Sequence, residues 1–356
     1  MLEHNLPADA KIASMIDEIL AQVEAGGNLA MEQMACVVGE VFQGQCDQDQ
    51  VARLLVALHA KGETVAEVAG AALAMRQQMT PIRTGRRGVL DTCGTGGDGS
   101  RTFNISTAAA LVTAAAGVPV AKHGNRRATS RSGSADVLAA LGVNVEAEVP
   151  LVEACLEELG ICFCFAPLLH GAMRHVAAVR SRLGVPTIFN ILGPLVNPAG
   201  APFQLLGVGR RPQQSLLAEA LLLLGTQRVL VIHGCDGLDE VTLRGPTHVV
   251  EATPAGLRSF DVAPEDFGLA RSELTSIEVD GPQQSADLIR QVLADQPGPA
   301  HDIVVANAAA ALWTSGRHDS LTVCARQARD VIQSGAAAEL LARLVDKTQR
   351  ESPFPP

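Results

Sequence analysis

Aromatic side chains are scarce in this sequence. Phe, Trp and Tyr make up 3% of its 356 residues, with one tryptophan and no tyrosine. Lysine and arginine number 28 against 38 aspartates and glutamates, which gives a formal net charge of −10 at pH 7. Nucleic-acid binding usually requires a basic surface and aromatic rings that stack on bases. Because the sequence is poor in both, we expect no nucleic-acid partner.

Long apolar runs are also missing. The longest, Ala108–Val120, is rich in alanine, is broken by Gly and Pro, and is too short to span a bilayer. The N-terminus carries acidic residues within its apolar pattern and lacks the charged-then-apolar order of a signal segment. We therefore expect no membrane partner and a cytoplasmic location.

None of the eight cysteines forms a C-x-x-C pair. Structural zinc sites are commonly built from such pairs, so the spacing argues against one. Cysteines that are scattered along the sequence without such spacing are typical of a reducing compartment.

The first 80 residues have the apolar spacing of helices. The first run stops before Gly26-Gly27, the third ends near Gly62, and Thr64 with Glu67 forms a capping box ahead of a fourth that ends before Pro81. Short connections between four helices predict a small helical domain over residues 1–80. We expect helices around residues 170–197 to complete it.

From Gly88 onward, short β-branched runs alternate with helical stretches. This alternation predicts an α/β domain over residues 81–350, with a central mixed sheet flanked by helices. Residues 351–356 are predicted to be a frayed tail.

The stretch DTCGTGGDGSRTFNIST (91–107) places four glycines between a strand pattern and a helix pattern. Glycines let the backbone approach a ligand, and a helix start favours an anion. The spacing also fits the dinucleotide pattern G-x-G-x-x-G, but in such folds the next strand ends in an acidic residue. Here that strand ends in Lys122-His123, and no G-K-[ST] follows as in a P-loop. A cation at this place favours a ligand with a further phosphate.

The segment KHGNRRATSRSGSAD (122–136) is the densest positive stretch of an acidic protein, and it directly follows a predicted strand. Open α/β sheets bind ligands at that edge, so we expect this segment to bind phosphate; a solvated basic loop is the alternative.

Asp239-Glu240 closes the run VLVIHGCDGLDE. Adjacent carboxylates suit a hard cation that bridges diphosphate oxygens, whereas the alternative is a solvated acidic turn.

Several ordered motifs together resemble the anthranilate phosphoribosyltransferase family. They are GTGGDG-x-x-TFNIST, KHGNR, SGSADVLAALGV, FAP-x-x-H-x-AM, VR-x-x-LGV-x-TIFNILGPL-x-NPA, QLLGV and HG-x-DGLDE-x-T. The resemblance runs from the N-terminal helices to about Glu251. It implies transfer of a phosphoribosyl group from 5-phosphoribosyl 1-diphosphate to anthranilate in tryptophan biosynthesis, with Mg²⁺ as cofactor and a homodimer formed through the helical domain. The alternatives are a pyrimidine nucleoside phosphorylase-like enzyme and a non-catalytic paralogue that binds a phosphorylated sugar or nucleic acid.

The resemblance also implies roles for individual residues. Magnesium would be held by Ser106, Asp239 and Glu240, and anthranilate by Gly94, Asn125, His170 and Arg180, whose guanidinium fork suits a carboxylate. Phosphoribosyl diphosphate would be bound by Gly94, Gly97, Asp98, Thr102, Asn104, Ile105, Ser106, Thr107, Lys122, His123, Gly124, Asn125, Arg126, Thr129, Ser130 and Ser134.

Two features qualify this assignment. Ser106 and Ser134 are also expected as helix caps, with no ligand needed. Leu168-Leu169 and Gly171 depart from the family pattern beside His170, which affects how the outer anthranilate channel recognises its ligand. No covalent nucleophile is expected, because positioning and stabilisation of the leaving diphosphate suffice.

Overall fold

A computed structural model describes the protein over residues 8–126 and 133–349, with side chains from residue 15 onward. The chain divides into two compact units. The helical unit contains the described residues up to Met79 together with His170–Val196, and the sheet unit contains Thr80–Leu169 and the described residues from Asn197 on. No helix in these ranges is long and apolar enough to cross a membrane.

The helical unit is built from six α-helices in the described residues. They are α1 (Ala8–Glu24), α2 (Met31–Phe42), α3 (Gln48–Lys61), α4 (Val65–Gln78), α9 (Arg174–Leu183) and α10 (Phe189–Leu192). Helix α2 packs along α4 and α1 along α3, while α9 contacts α2 and α3. Gly70 permits the close approach of α4 to α2, since a Cβ atom there would lie 2.8 Å from Met34 Cβ.

Capping boxes begin two of these helices. Asp47 Oδ1 accepts the Asp49 and Gln50 N–H groups at 2.8 Å each ahead of α3. Ahead of α4, Thr64 Oγ1 accepts Glu67 N–H at 3.3 Å while Glu67 Oε2 accepts Thr64 N–H at 2.8 Å, as the sequence predicts. These bonds satisfy N–H groups that a helix start leaves unpaired.

The sheet unit is built on seven strands, β1 (Leu90–Gly94), β2 (Val120–Gly124), β3 (Ile161–Phe165), β4 (Phe203–Gly207), β5 (Arg228–Gly234), β6 (Thr247–Thr253) and β7 (Gly256–Val262). Their order in the sheet is β3-β2-β1-β4-β5-β6-β7. Neighbouring strands among the first five pair in parallel. Strand β6 pairs antiparallel with both of its neighbours, β5 and β7.

One junction of the sheet is irregular. β2–β3 and β1–β4 each pair over five positions, whereas β1 and β2 pair in register at Leu90 and Val120 alone. We call the stretch in which β1 from Asp91 on and β2 from Ala121 on have no register pair the strand split.

Helices and apolar side chains surround the sheet. The α/β helices are α5 (Ile105–Ala115), α6 (Ser134–Ala140), α7 (Val149–Leu159), α8 (Ala166–Leu169), α11 (Gln213–Leu223), α12 (Pro282–Leu293), α13 (Pro299–Thr314), α14 (Leu321–Gln333) and α15 (Ala336–Gln349). The alanine-rich helix α13 is almost wholly buried against α5 and α14. Small side chains let these helices pack closely, which fixes α5 and its N-terminus relative to β1.

Candidate active site

A cavity of about 480 Å³ lies at the carboxyl ends of β1 and β2. It is lined by most of the residues that the sequence singles out, namely Gly94, Gly97, Asp98, Thr102, Asn104, Ile105, Ser106, Lys122, His123, Gly124, Asn125, Arg126, Ser134, Asp239 and Glu240. Thr107 is buried at 1% exposure and does not line it. Thr129 and Ser130 lie outside the described residues.

The glycine loop after β1 folds back over the cavity. Gly96, Gly97 and Gly99 have φ values of 66°, 79° and 71°, a region that favours glycine. Gly96 N–H donates to Asp239 Oδ2 at 3.0 Å, which ties this loop to the acidic pair. The predicted glycine cradle and acidic motif are therefore adjacent, although 143 residues separate them in sequence.

Asp239 fits against two strand ends because both end in glycine. A Cβ atom on Gly94 would lie 2.6 Å from Asp239 Oδ2, and one on Gly207 would overlap the backbone carbonyl of Asp239. The absence of side chains at the ends of β1 and β4 thus makes room for the metal-ligand candidate.

The structure does not support the alternative that Ser106 and Ser134 act only as helix caps. The N-cap of α5 is Asn104, whose Oδ1 accepts Thr107 N–H at 3.1 Å. The N-cap of α6 is Gly133, which has no capping side chain. Capping therefore explains neither serine hydroxyl, and both lie on the cavity wall.

Lys122 lies within β2 and is buried at 3% exposure. Its ammonium donates to Thr92 O at 2.6 Å and to Ser106 Oγ at 3.0 Å. Burial lowers the pKa of Lys122, and the negative charges of Asp91, Glu240 and Asp239 oppose that shift. The residue predicted to open a basic loop is instead a buried cation in the cavity wall.

Three carboxyl groups meet on the cavity wall. Burial and the neighbouring Asp98 raise the pKa of Asp239 to about 7. Burial and Asp239 raise the pKa of Glu240 well above its usual range. Crowded, desolvated carboxylates of this kind are stabilised in their charged form by a cation.

These donors fit magnesium. Ser106, Asp239 and Glu240 offer oxygen atoms around one cavity, the ligand type that this ion prefers. Within the described ranges, no three His, Cys, Asp or Glu side chains form a complete metal cage. A partial set suits Mg²⁺, which keeps water ligands and takes others from substrate phosphates.

Arg126 lies at the cavity rim, half exposed. Its guanidinium is 2.6 Å from Glu146 Oε1 and 3.6 Å from Asp136 Oδ1, and it stacks 5.5 Å from the Phe165 ring. Asn125 is exposed, and its Oδ1 accepts Arg126 N–H at 2.7 Å. The basic segment therefore carries its own acidic partners at this end.

Family models and known proteins match most of the chain. Residues 86–338 match the glycosyl transferase family, a/b domain, and residues 17–79 match its helical bundle domain. The anthranilate phosphoribosyltransferase of Rhodospirillum rubrum is 48% identical over 94% of this chain and 96% of its own length. The chain belongs to the anthranilate phosphoribosyltransferase family.

Solved structures of this family share the fold. The enzyme from Thermus thermophilus superposes with a TM-score of 0.88 at 45% identity, covering 93% of this chain and 99% of its own. The Saccharomyces cerevisiae enzyme, solved in complex with PRPP and Mg, gives a TM-score of 0.84 at 28% identity, covering 97% and 99%. The predicted helical N-terminal domain and α/β domain with a mixed sheet are confirmed.

Two residues that the family resemblance implicates in anthranilate binding belong to the helical unit. His170 is buried, and burial lowers its pKa to about 4, so its imidazole is neutral at pH 7. The Arg180 guanidinium lies 5.7 Å from the Phe189 ring, and burial lowers its pKa. Arg182, by contrast, is half exposed and pairs with Asp49 at 3.2 Å.

Two buried polar side chains that bond to the backbone of β2, next to the cavity, were not predicted from the sequence. Asp91 and Asn197 are buried beneath it and contact β2. A polar residue inside an otherwise apolar strand, as in VLDTC, is the signal that points to Asp91.

Proposed function

We propose that this family member transfers the phosphoribosyl group of 5-phosphoribosyl 1-diphosphate to the amine of anthranilate, giving N-(5-phosphoribosyl)anthranilate and diphosphate in tryptophan biosynthesis. The observation that carries this proposal is the meeting of the glycine loop, Lys122 and the Asp239-Glu240 pair around one cavity. A doubly phosphorylated sugar requires this combination of amides, a cation and metal-binding carboxylates.

The chain's contribution at the sugar phosphates is positioning and charge. The glycine loop lets backbone amides approach the diphosphate, and the N-terminus of α5 adds its positive dipole end. Thr102, Asn125 and Ser134 supply short polar groups along the sugar and the remaining phosphate. Lys122, fixed by Thr92 and Ser106, adds a buried positive charge beneath them.

Ser106, Asp239 and Glu240 would hold magnesium. The bound ion supplies charge neutralisation of the departing diphosphate. The three residues orient this end of the substrate, so that carbon 1 of the sugar faces the acceptor amine. Displacement there needs no protein nucleophile, because positioning and electrostatic stabilisation lower the barrier.

Gly94, Asn125, His170 and Arg180 would bind anthranilate. A guanidinium pairs with its carboxylate through two parallel hydrogen bonds, and a neutral imidazole brings no competing charge. A related Saccharomyces cerevisiae structure is described as a complex with 4-fluoroanthranilate, at 27% identity and a TM-score of 0.85. The aromatic amine is unprotonated at neutral pH, so a strong general base is unnecessary.

We propose further that the protein acts in the cytoplasm as a homodimer through its helical domain. Val56 is an exposed apolar side chain on α3, so Val56→Asp tests this surface of the helical unit. Light scattering should give twice the chain mass of 37.1 kDa. A monomer mass that Val56→Asp leaves unchanged would contradict this.

One assay tests the reaction. Anthranilate fluorescence should fall when protein, magnesium and phosphoribosyl diphosphate are all present, and should persist when any of them is omitted. Asp239→Asn should raise the magnesium requirement, whereas Asp261→Asn, an exposed carboxylate on β7, should leave it unchanged. Persistent fluorescence together with phosphorolysis of uridine or thymidine would instead identify a nucleoside phosphorylase.

A further inference from the structure

The strand split is bridged by side chains that replace a backbone ladder. From β1, the Asp91 carboxylate reaches across and accepts His123 N–H at 3.1 Å. From β2, the Lys122 ammonium reaches back and donates to Thr92 O at 2.6 Å. Each strand therefore satisfies a backbone group of the other with a side chain, at positions where no register pair joins the two strands.

Asn197 bridges the split one residue earlier. Its Nδ2 donates to Ala121 O at 2.7 Å, and its Oδ1 accepts Ala199 N–H at 2.9 Å, so the orientation of the amide is set by both bonds. Burial raises the pKa of Asp91, and the nearby Asn197 amide and the His123 N–H group partly oppose that shift. Asp91 and Asn197 are 0% and 5% exposed, respectively.

The split positions the two loops of the cavity. The glycine loop continues from the end of β1 at Gly94, and the basic segment continues from the end of β2 at Gly124. Residues of both loops line the cavity, whereas Asp91 and Asn197 do not. The bridging side chains therefore fix the ends of the two strands from which these cavity residues continue.

Charge makes the bridge specific. Lys122 is buried, and the negative charges of Asp91, Glu240 and Asp239 favour its charged form against that burial. A buried cation requires fixed partners. Asp91 does not line the cavity, so its hydrogen bond to His123 N–H does not require a bound ligand.

We propose that Asp91, together with Asn197, is a positioning residue that fixes the ends of β1 and β2 relative to each other, so that the cavity residues following both strands bind one phosphoribosyl diphosphate. This inference rests on the proposed function for the identity of the ligand. It predicts that Asp91 governs affinity for the sugar diphosphate and has little effect on the anthranilate requirement.

Steady-state kinetics of Asp91→Ala and Asp91→Asn test this role. Asp91→Ala removes the acceptor and the charge, so the KM for phosphoribosyl diphosphate should rise about tenfold or more, with the KM for anthranilate changing less than about twofold. Asp91→Asn keeps an oxygen for His123 N–H and loses the charge that faces Lys122, so its effect should be intermediate. Because it is nearly isosteric, it also serves if the alanine variant fails to fold.

Glu251→Gln is the matched control. Glu251 is a carboxylate of the same sheet, 5% exposed, that pairs with Arg228 and Arg258 far along the strand order. It should lower the melting temperature without changing the KM for phosphoribosyl diphosphate. Equal rises in both KM values for the Asp91 variants, or the same KM change in Glu251→Gln, would overturn the positioning role.

Hydrogen exchange gives a readout that does not depend on activity. In Asp91→Ala, the backbone amide of His123 should exchange about tenfold faster than in the wild type, while amides of the β2–β3 ladder keep their rates. An unchanged His123 rate would refute the bridge. If the wild-type protein does not consume anthranilate, the proposed reaction is wrong. Hydrogen exchange, together with calorimetric titration of phosphoribosyl diphosphate in the presence of magnesium, would still test the positioning role of Asp91.

Discussion

Adding one methyl group at Gly207, the last residue of β4, should displace Asp239 and weaken the proposed metal site. In Gly207→Ala, the new Cβ would overlap the backbone carbonyl of Asp239 and lie 3.2 Å from Asp239 Cβ. The first clash is with backbone, so the Asp239-Glu240 segment must move and cannot simply rotate a side chain. Overpacking of this kind costs about 1–3 kcal/mol of folding stability.

The effect on catalysis should exceed the effect on stability. A displacement of about 1 Å in a positioning group lowers rates about 100-fold. We therefore expect Gly207→Ala to lower kcat/KM for phosphoribosyl diphosphate by about that factor and to raise the magnesium concentration needed for half-maximal rate. Initial rates from anthranilate fluorescence, measured across a magnesium series, give both quantities.

Two further glycine variants make this test quantitative. Gly94→Ala places its methyl 2.6 Å from Asp239 Oδ2, a side-chain atom that can turn away, so it should raise the magnesium requirement with a smaller loss of stability. Gly39→Ala is the matched control, because a Cβ there meets nothing within 4 Å. The reasoning is refuted if Gly207→Ala keeps the wild-type magnesium requirement while Gly39→Ala behaves normally.

Three other predictions concern the helical unit and the start of α5. Burial opposes ionisation of Glu67, but bonds from Lys61, Leu29 and Thr64 outweigh it and hold its pKa below the usual value. The charge of Glu67 therefore stabilises the fold above the pKa of the unfolded chain, and this stabilisation is lost as pH falls through the pKa of the folded protein. Glu67→Gln should lower the free energy of unfolding by about 3 kcal/mol near pH 7. In urea titrations, the variant's free energy of unfolding should also fall less steeply as the pH is lowered. Arg180→Ala should raise the KM for anthranilate about tenfold and leave that for phosphoribosyl diphosphate unchanged, and equal changes in both would contradict its assignment. Asn104→Ala should cost about 1 kcal/mol of stability through loss of the α5 cap, and a variant as stable as wild type in thermal unfolding would show that the cap is dispensable.

Short-range patterns were sufficient for much of the architecture. The Thr64–Glu67 box marks a helix start through bonds that span three residues, so it forms wherever the local sequence allows it. The same holds for the change from helical spacing to alternating strands and helices near Gly88. The hairpin β6–β7 was not predicted individually, because its residues are amphipathic and its pairing becomes visible only across the strands.

Long-range geometry decided the site. The motifs around Gly94, Lys122 and Asp239 were readable one by one, but their meeting depends on parallel strands that bring distant carboxyl ends to one edge. Likewise, the hydroxyl of Ser106 fits a cap by its sequence position, and only the fold shows that Asn104 fills that place.

The sequence by itself determined which chemical groups are available and the local elements that carry them, because propensity, capping and hydrophobic period act over a few residues. Tertiary structure alone decided that β1 and β2 have no register pair after Leu90 and Val120, that Asp91 and Lys122 bridge the two strands there, and that Gly207 makes room for Asp239. The physical reason is that burial, hydrogen-bond partners and van der Waals contact between residues far apart in sequence exist only after the chain has folded.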